Sequence, residues 1–351
     1  MNVWHLVFRT DSLTYTVAKA MSFGGHDVFV WVVDVEQDHN LAVGIPRRLR
    51  DTARVTIVAR DETKLPSIID RLIVQVFPRP LESIQHVGSL ARRARKIALI
   101  TAGDRSRSWR SAIKLQWLEA RKIAPYAAKI DRVLYKDGFY PRDFHGYFKS
   151  RRAMGFDVHS QFLHDEDLCQ AIHSRDWHPG AQRPILANFL GCRDPDTRQR
   201  ILDCVRPFFS AAIPSSCSVA TSKLMYWHEY PDAAPVGLHP REFLNVLSRS
   251  DFTLCPIGYS LVTHRPIEAL LRGSIPVISV SELDLYGIEF KDGTNCIAVS
   301  GGNWPSAIHR LAKMGESEIV GMRNNIYSMF DDRLNYETLS KRMRIRFGVT
   351  D

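Results

Sequence analysis

The segment CPIGYSLVTHRPIEALLRGSIPVIS, residues 255–279, concentrates side chains that handle phosphate and sugar. An apolar strand, DFTLCPI, runs into Gly258, and glycine frees the backbone to turn there. Pro266 suits the first position of a helix, which makes Arg265 the expected N-cap and Glu268 the third helical residue. Unpaired N–H groups at such a helix start, with His264 and Arg265 beside them, suit the oxygens of a diphosphate. Glu268 supplies an acceptor for a ribose diol. The same residues have a plainer reading: Glu268 complements the helix dipole, and Arg265 is a surface ion-pair partner worth under about 1 kcal/mol.

What must position these groups is a parallel α/β scaffold. VWHLVF, SLTYTVAKAMSF and DVFVWVVDV read as strand, helix and strand, with GGH breaking the helix. This opening implies a parallel sheet whose ligand crevice lies at the carboxyl ends of the strands. Further strands are expected at 54–59, 71–77, 96–103 and 132–139, with a helix over 108–130. Apolar rhythm fades over 165–183, and the domain boundary is placed there. A second α/β pattern follows: PILANFLG as strand, DTRQRILDCVRPFF and HPREFLNVLSRS as helices, DFTLCPI as strand, RPIEALLR as helix, then IPVISV and NCIAVS as strands. The expected domains are 1–178, 179–335, and a C-terminal helix over 336–351 that packs back on the first domain. A chain of 351 residues supports two such cores.

Charge is unevenly placed. Residues 51–150 hold 20 Lys and Arg against 10 Asp and Glu, so this segment carries the whole of the +9 excess. Such a field suits an anionic partner: a lipid headgroup, a polyphosphate-linked acceptor or nucleic acid. LARRARK and RSRSWR read equally well as solvated faces. The six cysteines, Cys169, Cys192, Cys204, Cys217, Cys255 and Cys296, form no CxxC pair and read as reduced thiols of a cytoplasmic protein without structural zinc. VFVWVV falls far short of the roughly 20 apolar residues that span a bilayer, and the first residues lack the basic and apolar regions of a signal peptide.

The segment 241–300 resembles the C-terminal signature of the exostosin-type glycosyltransferases. It has a small helix, a strand ending in Cys255-x-x-Gly258, Arg265, Glu268-Ala269, and a closing Gly273-x-x-Pro276-Val277-Ile278. EALLRGSIPVI followed by FKDGTNCIAVS is similar to the donor half of GT-B glycosyltransferases. The resemblance implies the GT-B architecture, two doubly wound Rossmann-like domains facing across a cleft. It assigns a nucleoside diphosphate, UDP-linked, to Gly258, Tyr259, Thr263, His264 and Arg265, and the ribose to Glu268. Gly191 and Arg193, at the end of the second domain's first strand, would face the same crevice; Arg193 reads equally as a solvated loop residue. His264 departs from the family, which more often has a small or apolar residue there. The resemblance favours a metal-independent reaction with no cofactor beyond the nucleotide sugar.

An inverting transfer needs a base for the acceptor proton, and a two-domain cleft usually draws it from the acceptor half. Asp11 and Asp104 stand at ligand-facing strand ends there, and both are equally explained as a helix cap or turn residue. His145 and His228 are weaker candidates, since a lone histidine beside aromatics more often packs. Retention needs no dedicated base. The expected protein is a cytoplasmic glycosyltransferase, peripheral at the inner membrane face. It would elongate a saccharide or lipid-linked saccharide in surface polysaccharide synthesis. The alternatives are a basic nucleic-acid-binding protein, an epimerase on the same fold, or a silent nucleotide-sugar-binding module. Neither a zinc finger nor an RNP sequence supports the first of these.

Overall fold

The computed structural model describes residues 1–7, 12–32, 51–59, 65–76, 82–101, 124–135, 151–153, 160–163, 166–192, 196–210, 223–230, 238–258, 263–284 and 286–349. The chain groups into two compact units, Met1–Gly155 with Leu339–Asp351, and Phe156–Thr338. The second unit thus begins ahead of the 178/179 boundary read from composition. Residues between them are tied into it: Trp177 donates Nε1–H to the Leu271 carbonyl at 2.9 Å, and Arg272 Nη1 donates to the Ala171 carbonyl at 2.6 Å.

In the first unit, β1 (Asn2–Val7), β2 (Asp27–Val32), β3 (Val55–Ala59), β4 (Ile69–Val76), β5 (Ala94–Thr101), β6 (Ile130–Tyr135) and β7 (Arg151–Ala153) form one sheet. Its order is β3-β2-β1-β4-β5-β6-β7 and every pairing is parallel. This is the order of a dinucleotide-binding Rossmann sheet, with its switch point between β1 and β4. Helix α1 (Ser12–Phe23) links β1 to β2, and α2 (Glu82–Arg93) leads directly into β5. The strands read as near-continuous apolar runs because both faces are covered. Trp4, Trp31, Leu72, Val74, Leu90, Ile97 and Leu99 form the core, and Trp4 stacks on Phe29 at 4.9 Å. Fully burying one such side chain contributes about 1.5–3 kcal/mol. The expected helix over 108–130 falls mostly outside the described residues. Its described end is a 3₁₀ segment, Ala124–Lys129, and Ile130 already belongs to β6.

In the second unit, β8 (Ile185–Cys192), β9 (Leu224–Tyr230), β10 (Ser250–Leu254), β11 (Ile275–Ser279) and β12 (Ile297–Val299) form a parallel sheet of order β12-β11-β10-β8-β9. The helices are α3 (Glu166–His173), α4 (Asp196–Val205), α5 (Pro240–Ser248), α6 (Arg265–Leu271), α7 (Trp304–Lys313) and α8 (Glu316–Ser328); a last helix, α9 (Tyr336–Arg346), begins here but from Leu339 on is grouped with the first unit. The expected helix 196–209 breaks after Val205, where Pro207 lacks the N–H needed to continue it. Chain direction across the sheet reverses between β8 and β10, which is the switch point of this order. A buried polar chain fixes those two strands: Asn188 Nδ2 donates to the Phe252 carbonyl at 3.2 Å and to Thr253 Oγ1 at 2.9 Å, and Thr253 Oγ1 lies 2.7 Å from Ser274 Oγ.

The turn out of α6 depends on a glycine. Gly273 has φ +67°, its N–H reaches the Leu270 carbonyl, and the Ser274 N–H reaches Ala269. A Cβ there would stand 2.5 Å from Trp177 Cδ2 and 2.6 Å from Cζ3. Gly273→Ala is therefore expected to lower stability by about 2–4 kcal/mol, from left-handed strain plus overpacking. Urea unfolding of the variant measures it, and a loss under about 1 kcal/mol would contradict the packing described.

Candidate functional site

The carboxyl ends of β8 and β10 bring together Gly191, Gly258, Thr263, His264, Arg265 and Glu268 from the sequence reading. Asp11, Asp104, Arg193, Tyr259 and His145 lie outside the described residues. His228 lies on β9 beside Leu190, half-buried.

Arg265 dominates the geometry. Its guanidinium covers Gly191: a Cβ on that glycine would lie 2.7 Å from Nη1 and 2.8 Å from Nη2. The same group sits 5.7 Å from the centroid of Phe189, whose ring packs on Trp227 at 4.6 Å. Arg265 Nε is buried with no acceptor among the described residues. A buried guanidinium N–H left without an acceptor is costly, so the site favours an incoming anion.

The helix start differs from the sequence expectation. The N-cap is His264, not Arg265, and its side chain makes no capping bond. Arg265 is the first helical residue and Glu268 the fourth. The His264 carbonyl accepts from both Ile267 and Glu268, each at 3.1 Å, which closes the first turn one residue early. With seven residues in α6 and no N–H on Pro266, the helix offers few free donors. The positive potential here comes chiefly from guanidinium groups.

Arg198, in the first turn of α4, is the second of these and was not singled out from the sequence. It is buried, donating from Nε to the Ile257 carbonyl at 3.2 Å and from Nη1 to the Cys192 carbonyl at 3.2 Å and Sγ at 3.1 Å. It laces the ends of β8 and β10 together. Its Nη2 occupies the space that a side chain on Gly258 would need, with Thr263 Cγ2 3.3 Å from that position. The signal for it was present in CRDPDTRQR, where Arg198 falls in the first turn of the helix that follows β8.

Behind these arginines lies a buried layer. Glu268 is 3% exposed and Glu282 0%. Burial pushes the Cys255 thiol well above its ordinary range; Arg265 opposes the shift, while Glu282 and Glu268 add to it. Tyr286 is driven the same way, first by burial and then by Glu282. Its hydroxyl accepts the Thr263 N–H at 3.0 Å, anchoring the residue that leads into α6. Arg265, Glu268 and Glu282 thus all act on the same buried thiol, the arginine against the two carboxylates. Among the described residues, no three His, Cys, Asp or Glu side chains gather as metal ligands. No described helix is long and apolar enough to cross a membrane.

Two parallel sheets with this pair of strand orders, and an arginine-rimmed switch point in the second, define the GT-B fold. Known structures agree. A glycosyltransferase from Rickettsia africae ESF-5 matches with TM-score 0.58 at 10% identity, covering 99% of this chain and 98% of that one. HepE of Anabaena, in complex with UDP and glucose, matches at 0.55 with 9% identity over 100% of both chains. Sucrose-phosphate synthase from Thermosynechococcus elongatus matches at 0.54 with 12% identity, again over 100% of both. Residues 170–287 match the family model described as RXYLT1 C-terminal domain. That segment overlaps the residues that carried the exostosin resemblance in the sequence. No curated protein matches the chain.

Proposed function

We propose that the protein moves a glycosyl group from a UDP-linked sugar to a saccharide or lipid-linked saccharide, in the cytoplasm, as a step of surface polysaccharide synthesis. The second unit holds the donor and the first receives the acceptor. The acceptor oxygen bonds to the anomeric carbon, the bond from that carbon to the β-phosphate oxygen breaks, and UDP leaves with the electron pair. Arg265 neutralises the departing diphosphate, with no metal ion required. Glu268 recognises the ribose. Asp11 or Asp104 takes the acceptor proton if the transfer inverts.

The observation that carries this reading is the Arg265 guanidinium, lying over Gly191 at the β8/β10 switch point with a buried Nε that lacks an acceptor. The UDP held by HepE, a protein of the same fold, supports the choice of nucleotide. The basic excess in residues 51–150 supports an acceptor that carries negative charge.

Thermal unfolding in the presence of UDP, ADP and GDP tests it. UDP at about one hundred times its dissociation constant should stabilise the native chain by about 2.7 kcal/mol. Glu268→Gln, which keeps the buried volume, should shrink that response. Labelled UDP-sugar should then yield elongated acceptor. Only epimer or free sugar as product, or salt-dependent binding of nucleic acid in place of any nucleotide response, would overturn the proposal.

A further inference from the structure

Five large apolar side chains stand exposed among the described residues, and four of them share one end of the first unit. Phe23 (51%) ends α1, just before β2; Ile68 (49%) precedes β4; Met1 (47%) precedes β1. Ile345 (53%) lies in α9, next to Arg344, which donates to the Ala20 carbonyl and occupies the space beside Gly24. All four lie at the amino ends of the strands, opposite the crevice expected at the carboxyl ends.

The neighbouring charges are basic. Arg92 lies in the last turn of α2, Arg95 and Lys96 are the second and third residues of β5, and Lys129 reaches the carbonyls of Ala91 and Arg92 at 2.9 Å. The acids at this end are largely engaged. Asp70 pairs with Arg95 at 3.2 Å, Asp27 with Arg54 at 3.4 Å, and Asp131 with Arg71. Asp51, ahead of β3, is the remaining one among the described residues at this end. Arg92 and Lys96 are exposed.

The geometry points to this end as a docking face for an anionic lipid bilayer. Phe23, Ile68 and Ile345 enter the interfacial layer, and the β5 cluster meets the headgroup phosphates. Separate apolar tips beside cations match a headgroup region, which takes up isolated side chains and attracts positive charge. A partner protein would instead call for one continuous patch with an apolar core. The inference does not depend on the donor site.

Co-sedimentation of the full chain with vesicles tests it, comparing phosphatidylcholine alone with phosphatidylcholine plus phosphatidylglycerol. The chain should bind the anionic vesicles at low salt, and raised salt should weaken the binding. F23S/I68S and R92E/K96E should each reduce it by about tenfold or more. V280S, at the fifth exposed apolar residue, should bind as the parent does. Circular dichroism and the thermal unfolding midpoint confirm that each variant is folded. Equal binding by parent and both double variants overturns the inference, as does no binding to anionic vesicles. So does a dimer in light scattering that F23S/I68S dissociates, because the face would then be a self-interface.

Discussion

Asp251→Ala is expected to lower the stability of the second unit by about 3–5 kcal/mol, the cost of removing one partner from a buried ion pair. Asp251 is the second residue of β10 and is 0% exposed, as is Arg323 of α8. Lys223 Nζ bridges Asp251 Oδ2 at 2.7 Å and Glu316 Oε2 at 2.8 Å; Arg323 Nη2 lies 3.6 Å from Asp251 Oδ1 and 3.2 Å from Glu316 Oε1. Without Asp251, two cations share one half-exposed carboxylate. Urea unfolding measures the loss, and D251L/R323M should recover part of it, because apolar packing replaces the stranded charge. A loss below about 1 kcal/mol for D251A would show that water already compensates these charges. The cluster sits at the amino end of the sheet, so UDP affinity of the folded variant should be unchanged.

Acid adds a second readout. The hydrogen bond from Lys223 holds the Glu316 carboxyl below its ordinary range. A lowered folded pKa gives stability that is present above the unfolded value of 4.5 and lost as pH falls through the folded one. Asp251 runs the other way. Burial outweighs its cations and raises its pKa, so its contribution is full below 3.8 and declines as pH rises through the folded value. Glu316→Gln should therefore flatten the acid limb of the stability profile below about pH 4.5.

Arg265→Ala should weaken UDP binding by about tenfold to a hundredfold, the worth of a charge-assisted hydrogen bond of about 1.5–3 kcal/mol. The loss should appear in calorimetric affinity with little change in unfolding midpoint, because the group is half-buried and packs on Phe189 by its face. Arg265→Lys should keep part of the charge but not the two-pronged geometry. Gly191→Ala should act in the same direction, since its methyl displaces the guanidinium. Parent-like affinity in R265A would remove the diphosphate from this place and with it the main support for sugar transfer.

Much of the scaffold was legible because parallel strands buried on both faces leave unbroken apolar runs. NVWHLV, ILANFLGC and IPVIS are examples. Strand β9, LMYWHEY, escaped because an edge strand mixes polar and aromatic residues and stays half-buried. Helix α2 escaped for a similar reason: ESIQHVGSLARR carries a central glycine and few apolar residues. At the site, residue types were readable but contacts were not. Arg265 over Gly191 joins positions far apart in the chain, and Arg198 turns its donors toward strand-end carbonyls that no spacing announces. The cap shift to His264 arose because proline is tolerated at either of the first two helical positions, so Pro266 alone does not fix the register.

Leu339–Asp351 is grouped with the first unit although the whole second unit is synthesised ahead of it. Arg71, buried in β4, donates to the Gly348 carbonyl at 2.7 Å, and the Val349 side chain is itself fully enclosed. On the ribosome, then, the earlier-made half waits for the later one: its sheet can assemble and Arg71 can pair with Asp131, but the second acceptor of Arg71, the Gly348 carbonyl, arrives only when residues 339–349 emerge. Completion of the first unit is thereby a check that translation has passed through the second.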